Sequence, residues 1–205
     1  MMQHITRFLA NILSPLLAPS YGVFLALWVS IICYQPLGTR LAVLLVVFGI
    51  TFVIPMFFIN ILHNFKIIKD RYLNDPKERI YPYTAVIACY IASAFYLNHV
   101  HAPLWLVAFA IGGTLTCIIS TLINFKWKIS AHSAGMAGLV ALLFYIHFEG
   151  LEAFNTFWLM RITIILTGLV GTIRMYQNQH TFWQIIAGFI NGFICVYTTI
   201  KLFAQ

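Results

Sequence analysis

The stretch from Ile80 to Phe125 reads IYPYTAVIACYIASAFYLNHVHAPLWLVAFAIGGTLTCIISTLINF, and none of its 46 residues is Asp, Glu, Lys or Arg. A helix that crosses a bilayer needs about 20 apolar residues, so this stretch is long enough for two. The interruption Asn98-His99-Val100-His101-Ala102-Pro103 is polar and ends in proline, which is typical of a turn. We therefore predict one membrane-spanning helix over about 83–98 and a second over about 103–124.

The rest of the 205-residue chain has the same character, with 61% hydrophobic and only 8% charged residues. A soluble domain carries about 25% charged residues, so the composition excludes a soluble globular protein. Pro15 and Pro19 interrupt the first apolar segment, which leaves six crossings as an alternative to seven. We predict an all-α, polytopic transmembrane helix bundle of six to seven spans, a single domain over residues 1–205, with its active site at one membrane face. The further predicted spans are about 12–34, 41–62, 132–148, 157–174 and 183–203.

Charge and polarity gather in three of the connections between these segments. The first, His63–Pro82, holds five of the 12 Lys and Arg residues. The second is Asn124–Gly135, and the third is Arg174–Gln184. Two predicted spans separate the first cluster from the second, and two separate the second from the third. All three clusters are therefore expected at the same face of the membrane.

Converging basic side chains and histidines at a membrane face favour an anionic partner, because an unpaired charge in a bilayer costs several kcal/mol. Phosphate fits best, since guanidinium groups pair with its oxygens. The segment Ser130-Ala131-His132-Ser133 begins a predicted helix, where backbone N–H groups add donors. His132 and His180 then indicate covalent phosphoryl chemistry, one attacking phosphorus and the other protonating the leaving oxygen. The alternative for the basic residues is anchoring to lipid head groups, which we favour for Lys66, Lys77, Lys126 and Lys128.

The three clusters resemble the motifs of the type 2 phosphatidic acid phosphatase (PAP2) superfamily, whose members are membrane-embedded, metal-independent phosphatases of lipid phosphates and pyrophosphates. The family pattern is Lys, six residues, Arg-Pro; then Pro-Ser-Gly-His; then Ser-Arg, five residues, His, three residues, Asp. The corresponding stretches here are about 66–82, 129–133 and 174–184. Arg174 and His180 keep the five-residue gap of the third motif.

The resemblance implies a role for each matched position. His180 would be the nucleophile and His132 the general acid, with the phosphate held by Arg174, Arg79, the backbone N–H groups of Ser130 and Ala131, and either Lys69 or Arg71. Gln184 stands where the family has Asp. Its carbonyl can still orient His180, but the negative charge is lost, and a comparable Asp-to-amide change in a hydrolase triad lowers the rate about 10⁴-fold. Further departures are Ile129 for Pro, Ala131 for Gly, Ile173 for Ser, and Pro82 three residues after Arg79.

The predicted function is hydrolysis of a lipid phosphate or pyrophosphate, of the phosphatidic acid, phosphatidylglycerol phosphate or polyprenyl type, through a phosphohistidine intermediate. The alternative is a catalytically impaired, phosphatase-like membrane protein that binds or translocates a phosphorylated lipid. A transporter or channel without phosphatase ancestry is less favoured, because such a protein would place polar residues near mid-span. The strongly polar residues of this chain cluster at the ends of the spans, and Asn191 is one exception. No metal, cofactor or nucleic-acid partner is predicted, and Cys33, Cys89, Cys117 and Cys195 are interpreted as unpaired thiols in apolar segments.

Two arguments about sidedness disagree. Nine of the 12 basic residues lie on the motif side, counted with the N-terminus. The positive-inside rule then places the motifs in the cytoplasm. Many bacterial members of the family act at the outer face of the inner membrane, so the resemblance favours a periplasmic site. The sequence predicts an integral membrane protein of the bacterial inner membrane type and leaves both orientations open.

Overall fold

The structure, a computed structural model, describes residues 37–69, 78, 80–151 and 156–203. All secondary structure within these ranges is helical. Helices α1 and α2 are joined without a break by a π-helical segment, Gly49–Val53, and form one continuous rod. In chain order the α-helices are α1 (Leu37–Phe48), α2 (Ile54–Asn64), α3 (Ile80–His99), α4 (Leu104–Asn124), α5 (Ala131–Phe148), α6 (Phe157–Tyr176) and α7 (Phe182–Phe203).

Six helical rods in the described ranges are long and apolar enough to cross a membrane, the first of them running over Leu41–Asn64. The prediction of an all-α, polytopic bundle is confirmed, and six of the predicted spans match these membrane-length rods to within three residues at each end. The start of α3 at Ile80 rather than at 83 has a physical reason. Pro82 lies in the first helical turn, where a missing N–H breaks no hydrogen bond. The predicted span 12–34, and with it the choice between six and seven crossings, lies outside the described residues.

Four helix ends in the described ranges close with the same backbone turn. A residue in the left-handed region, with φ between 54° and 64°, follows each helix, and the next N–H reaches back five residues, as in a Schellman motif. In three of these turns the pair joined by that hydrogen bond is apolar, whereas the turn after α6 joins Gln179 to Arg174. The left-handed residues are Lys66, His101, Gly150 and Asn178, and the joined pairs are Ile67–Leu62, Ala102–Leu97, Leu151–Ile146 and Gln179–Arg174.

Helix α7 is the centre of the packing and lies mainly against α5 and α4, while α6 packs on α5. Asn191, near the middle of α7, donates from Nδ2 to Thr116 O at 3.1 Å and to Ser120 Oγ at 2.9 Å, both on α4. The thiol of Cys195 donates to Asn191 Oδ1 at 3.3 Å. The mid-span asparagine therefore links two helices, an interaction worth about 0.6–2 kcal/mol, as the sequence allowed.

The cysteines of the described residues are free thiols, as predicted. Cys89 and Cys195 are buried and Cys117 is half-buried. Cys33 lies outside the described residues. The packing of the described spans rests on small residues, apolar side chains and the Asn191 linkage.

Candidate active site

The second polar cluster folds into a tight connection between α4 and α5. Asn124 is 5% exposed, and its side-chain Oδ1 accepts the Ile129 N–H at 3.1 Å. Ile129 is itself fully buried, so an apolar anchor occupies the position where the family motif has proline. Ser130 follows in an extended conformation and caps α5, its Oγ accepting the Ser133 N–H at 3.3 Å. The connection thus fixes where α5 begins.

The start of α5 carries the two other predicted residues of this cluster. Ala131 is the first helical residue, and His132, which is half-buried, is the second. Backbone N–H groups in the first turn of a helix have no intrahelical acceptor. The Ala131 N–H can therefore donate to an anion at this end of the bundle, where the positive end of the helix dipole also favours negative charge.

The third cluster is organised by the turn that closes α6. Arg174 lies in the last turn of the helix, and its carbonyl oxygen accepts the N–H of Gln179 at 3.0 Å and that of His180 at 3.4 Å. Asn178, with φ of 55°, occupies the left-handed position between them, a conformation that asparagine tolerates better than most residues. The Schellman turn therefore spans Arg174 to Gln179, and His180 follows it directly, which accounts for the five residues between Arg174 and His180. The Arg174 guanidinium is half-buried, and its Nη1 donates to Gln177 Oε1 at 3.5 Å.

His180 and Gln184 form the most informative contact of the site. His180 is 7% exposed, and its Nδ1 lies 3.2 Å from Gln184 Oε1. The same oxygen accepts the Thr181 N–H at 3.1 Å, which is one of the two hydrogen bonds of a capping box at the start of α7. A carbonyl oxygen can only accept, so His180 Nδ1 carries the proton. In the neutral ring Nε2 is then the unprotonated nitrogen, the one that can act as a nucleophile.

A backbone contact joins the second and third clusters. The Ser130 N–H donates to the carbonyl oxygen of Gln184 at 3.2 Å. Gly188, one turn further along α7, passes so close that a Cβ there would lie 2.6 Å from Ser130 O. Gly192 is closer still, because a Cβ there would overlap the Ala134 carbonyl and lie 2.8 Å from Ala134 Cα. The start of α5 and the start of α7 therefore meet at one end of the bundle.

The predicted site residues fall into three groups. His180, Gln184 and Arg174 are assembled around one turn, and Ser130, Ala131 and His132 lie against it through the start of α5. The Ser130 N–H, expected to bind phosphate, is instead bound to Gln184, because the close approach of Gly188 brings an acceptor to it. Lys69 is exposed and its backbone N–H donates to Glu78 Oε2 at 3.0 Å. Arg71 and Arg79 lie outside the described residues.

Three residues have structural roles at the site that the sequence analysis did not assign. Asn124 fixes the connection before Ser130, and Gly188 and Gly192 allow α7 to approach α5. Nothing in the sequence distinguishes Asn124 from an ordinary polar residue at a helix end. The two glycines did carry a signal, since a spacing of four is typical of close helix contacts in membranes.

Fold and site together define a helical membrane protein with histidine and arginine side chains grouped at one end of its bundle. Residues 124–205, about two fifths of the chain, match the family model of the PAP2 superfamily. The match confirms the resemblance over this part of the chain, which holds the second and third clusters and helices α5 to α7. It indicates phosphatase-type activity on phosphorylated substrates. No curated protein and no solved structure matches the chain.

Proposed function

We propose that the protein is a metal-independent phosphatase of the membrane, which hydrolyses a lipid phosphate or pyrophosphate through a phosphohistidine intermediate. The observation that carries this proposal is the pair of hydrogen bonds to Gln184 Oε1, from His180 Nδ1 and from the Thr181 N–H. Together they orient the His180 ring, with Nδ1 as the donor and Nε2 as the nitrogen that can attack, at the end of the bundle where Arg174 and the start of α5 also lie. We place the protein in a bacterial inner membrane.

In the first step His180 Nε2 attacks phosphorus, a P–N bond forms, and the P–O bond to the leaving oxygen breaks. That oxygen belongs to the lipid in a monophosphate and to the inner phosphate in a pyrophosphate. His132 gives its proton to the leaving oxygen. Arg174 and the Ala131 N–H stabilise the negative charge of the phosphoryl oxygens, an electrostatic contribution that is often the largest in catalysis.

In the second step a water molecule attacks the phosphohistidine. His132, now neutral, takes a proton from that water as the P–O bond forms and the P–N bond breaks. Orthophosphate leaves, and His180 returns to its neutral form with the proton still on Nδ1. The side-chain oxygen of Gln184, Oε1, keeps the imidazole ring in place throughout, but it adds no negative charge.

A lipid substrate is supported by exposed aromatic side chains on the segments that carry the site residues. Trp127 is 43% exposed and Trp183 is 69% exposed, and each lies a few residues from one of the two histidines. Trp and Tyr concentrate at membrane–water interfaces, at the depth of the head groups. Phosphatidic acid, phosphatidylglycerol phosphate and polyprenyl phosphates all carry a phosphate at that depth. Other exposed aromatic residues at this end are Phe125, Tyr176 and Phe182.

The second candidate function is binding or translocation of a phosphorylated lipid without hydrolysis. It is favoured by Gln184 itself, because a neutral amide does not stabilise the positive charge that develops on His180. The two functions differ in one observable, release of phosphate.

The testing experiment uses detergent-purified protein with EDTA present, and measures phosphate release from phosphatidic acid, phosphatidylglycerol phosphate and a polyprenyl diphosphate. Release from at least one substrate in EDTA is expected. Folded protein that binds these lipids but releases no phosphate would overturn the phosphatase proposal in favour of the binding function.

Replacing Arg174 by alanine is expected to weaken inhibition by orthovanadate about 10- to 100-fold, since hydrogen bonds to charged groups contribute about 1.5–3 kcal/mol. The turn should survive, because Gln179 and His180 donate to the Arg174 backbone oxygen rather than to its side chain. Lys126→Ala is the matched control, since Lys126 is an exposed cation in the turn after α4. Equal vanadate inhibition of the two variants would contradict the assignment of Arg174.

Replacing Gln184 by glutamate is expected to raise the rate about tenfold, because a charged acceptor strengthens the hydrogen bond to His180 by about 1–1.5 kcal/mol. Glutamate has the length of glutamine and can keep both contacts to Oε1, whereas the aspartate of the family motif is one methylene shorter. Gln184→Leu removes the acceptor and should lower the rate. Initial rates of the three proteins under identical conditions check the order, and a slower Gln184→Glu variant would refute the argument from charge.

A further inference from the structure

An apolar groove of about 520 Å³ lies between α6 and α7, with part of α5 as its floor. We call it the α6–α7 groove. It exists because α6 and α7 both pack on α5 but have little contact with each other. Its lining includes Ala137, Gly168, Phe189 and Phe193. The hydroxyl of Thr167 also lies in the lining, but it donates to Thr163 O at 2.6 Å, so the groove offers no unsatisfied polar group there.

The groove begins a short way from the candidate active site and runs away from it. Gly168 lies six residues before Arg174, about 9 Å along α6, and Phe189 lies five residues after Gln184, about 8 Å along α7. The far end, at Ile164 and Ile194, is about 15 Å from the same level. Half of a hydrocarbon core is about 15 Å thick. With the site residues at head-group depth, as proposed, the groove covers the depth from below the head groups to the middle of the bilayer.

The two sides of the α6–α7 pair differ in the region between the site and the groove. On the core side α6 and α7 meet at Gly171, where a Cβ would lie 3.0 Å from Ile185 Cγ2. On the membrane-facing side, the residues one helical turn from the groove toward the site are small. Thr172 is exposed and follows Gly168 by one turn, and Ala187 is half-buried and precedes Ile190 by one turn.

We infer that the α6–α7 groove holds one hydrocarbon chain of the phosphorylated lipid whose phosphate binds at Arg174 and His180. This inference rests on the proposed function and names the part of the substrate that it leaves open. Helices α5, α6 and α7 carry His132, Arg174 and Gln184 at one end and form the groove below them, so a lipid anchored by its phosphate has a chain at the groove mouth. The volume lies within the 300–1,000 Å³ that is usual for ligand pockets.

Gly168 provides a way to fill the groove without disturbing the packing. A Cβ at this position has nothing within 4 Å, so a larger side chain can project into open space. Gly49, in the π-helical segment, has equally open surroundings and does not line the groove. Gly168→Phe and Gly49→Phe are therefore matched variants, one blocking the groove and one adding the same side chain elsewhere.

The first measurement is independent of turnover. A phosphatidic acid with a diazirine in one acyl chain is bound to each protein, irradiated, and located by peptide mapping. Label is expected in residues 164–168 or 189–194 of the wild type and of Gly49→Phe, and about tenfold less of it in Gly168→Phe. Label spread evenly over the membrane-facing helices, or unchanged in Gly168→Phe, would overturn the inference.

The second measurement is the ratio of kcat/KM for dioleoyl phosphatidic acid to that for dibutyryl phosphatidic acid. Each methylene excluded from an apolar site weakens binding about fourfold, so Gly168→Phe should lower this ratio at least about tenfold while Gly49→Phe leaves it unchanged. An unaltered ratio in an active Gly168→Phe enzyme contradicts the groove assignment. Failure of the proposed function looks different, because no protein then releases phosphate while the groove is still labelled.

Discussion

Replacing His180 by alanine is expected to reduce phosphate release by about 10⁴-fold or more, as removal of a nucleophile does in well-studied hydrolases. The reason lies in the ring geometry, since Gln184 Oε1 fixes the proton on Nδ1 and leaves Nε2 as the attacking atom. The measurement is the initial rate with the best substrate of the lipid panel, in EDTA, for wild type and variant purified side by side.

His99→Ala is the control for this prediction, because His99 is an exposed histidine at the opposite end of the bundle and should turn over at the wild-type rate. Orthovanadate inhibition cannot be read in a dead enzyme, so vanadate-dependent thermal stabilisation tests whether His180→Ala still binds the anion through Arg174. Equal turnover by wild type and His180→Ala would remove His180 from the role of nucleophile.

Replacing Gly192 by alanine is expected to lower the free energy of unfolding more than the same replacement at any other glycine in the described helices, because its Cβ would meet the closest neighbour. The new Cβ would overlap the Ala134 carbonyl and lie 2.6 Å from its carbon, which is backbone and does not move aside like a flexible side chain. Overpacking of this kind costs about 1–3 kcal/mol or more. Thermal unfolding in detergent should show a lower midpoint, and activity should fall with it because α7 can no longer reach Ser130.

The matched control is Gly168→Ala, a second glycine-to-alanine change in a long helix, where the added methyl has nothing within 4 Å. Its midpoint should equal or slightly exceed that of the wild type, since alanine favours helix over glycine by about 1 kcal/mol. Similar midpoints for the two variants would show that the α5–α7 contact is looser than the structure describes.

The helices were predictable because a membrane span is a property of local composition. An apolar run of sufficient length must form its own backbone hydrogen bonds in lipid, and only a helix does so within one segment. The spacing of Arg174 and His180 was predictable for a related reason. Five residues separate them, and these residues form a single turn. The position of His180 relative to Arg174 therefore depends on local backbone conformation and not on distant packing.

The Ser130 amide shows where sequence reasoning stops. The start of a helix does offer N–H groups to an anion, but the partner of each one depends on what packs against it. Here the close approach at Gly188 brings the backbone carbonyl oxygen of Gln184 to 3.2 Å from the Ser130 nitrogen. This contact joins residues more than fifty positions apart in the chain. Asn124 was missed for the same reason, because its role depends on the path of the connection to Ile129.

The two hydrogen bonds to Gln184 also have a consequence for motion. His180 cannot rotate away from its position without leaving an oxygen that is held by the Thr181 amide, and thus by the first turn of α7. The imidazole is therefore ordered as soon as this helix forms, before any substrate arrives. The conformational entropy of the ring is therefore lost when the protein folds and not in each catalytic cycle. The ring should be equally immobile in the protein with and without substrate.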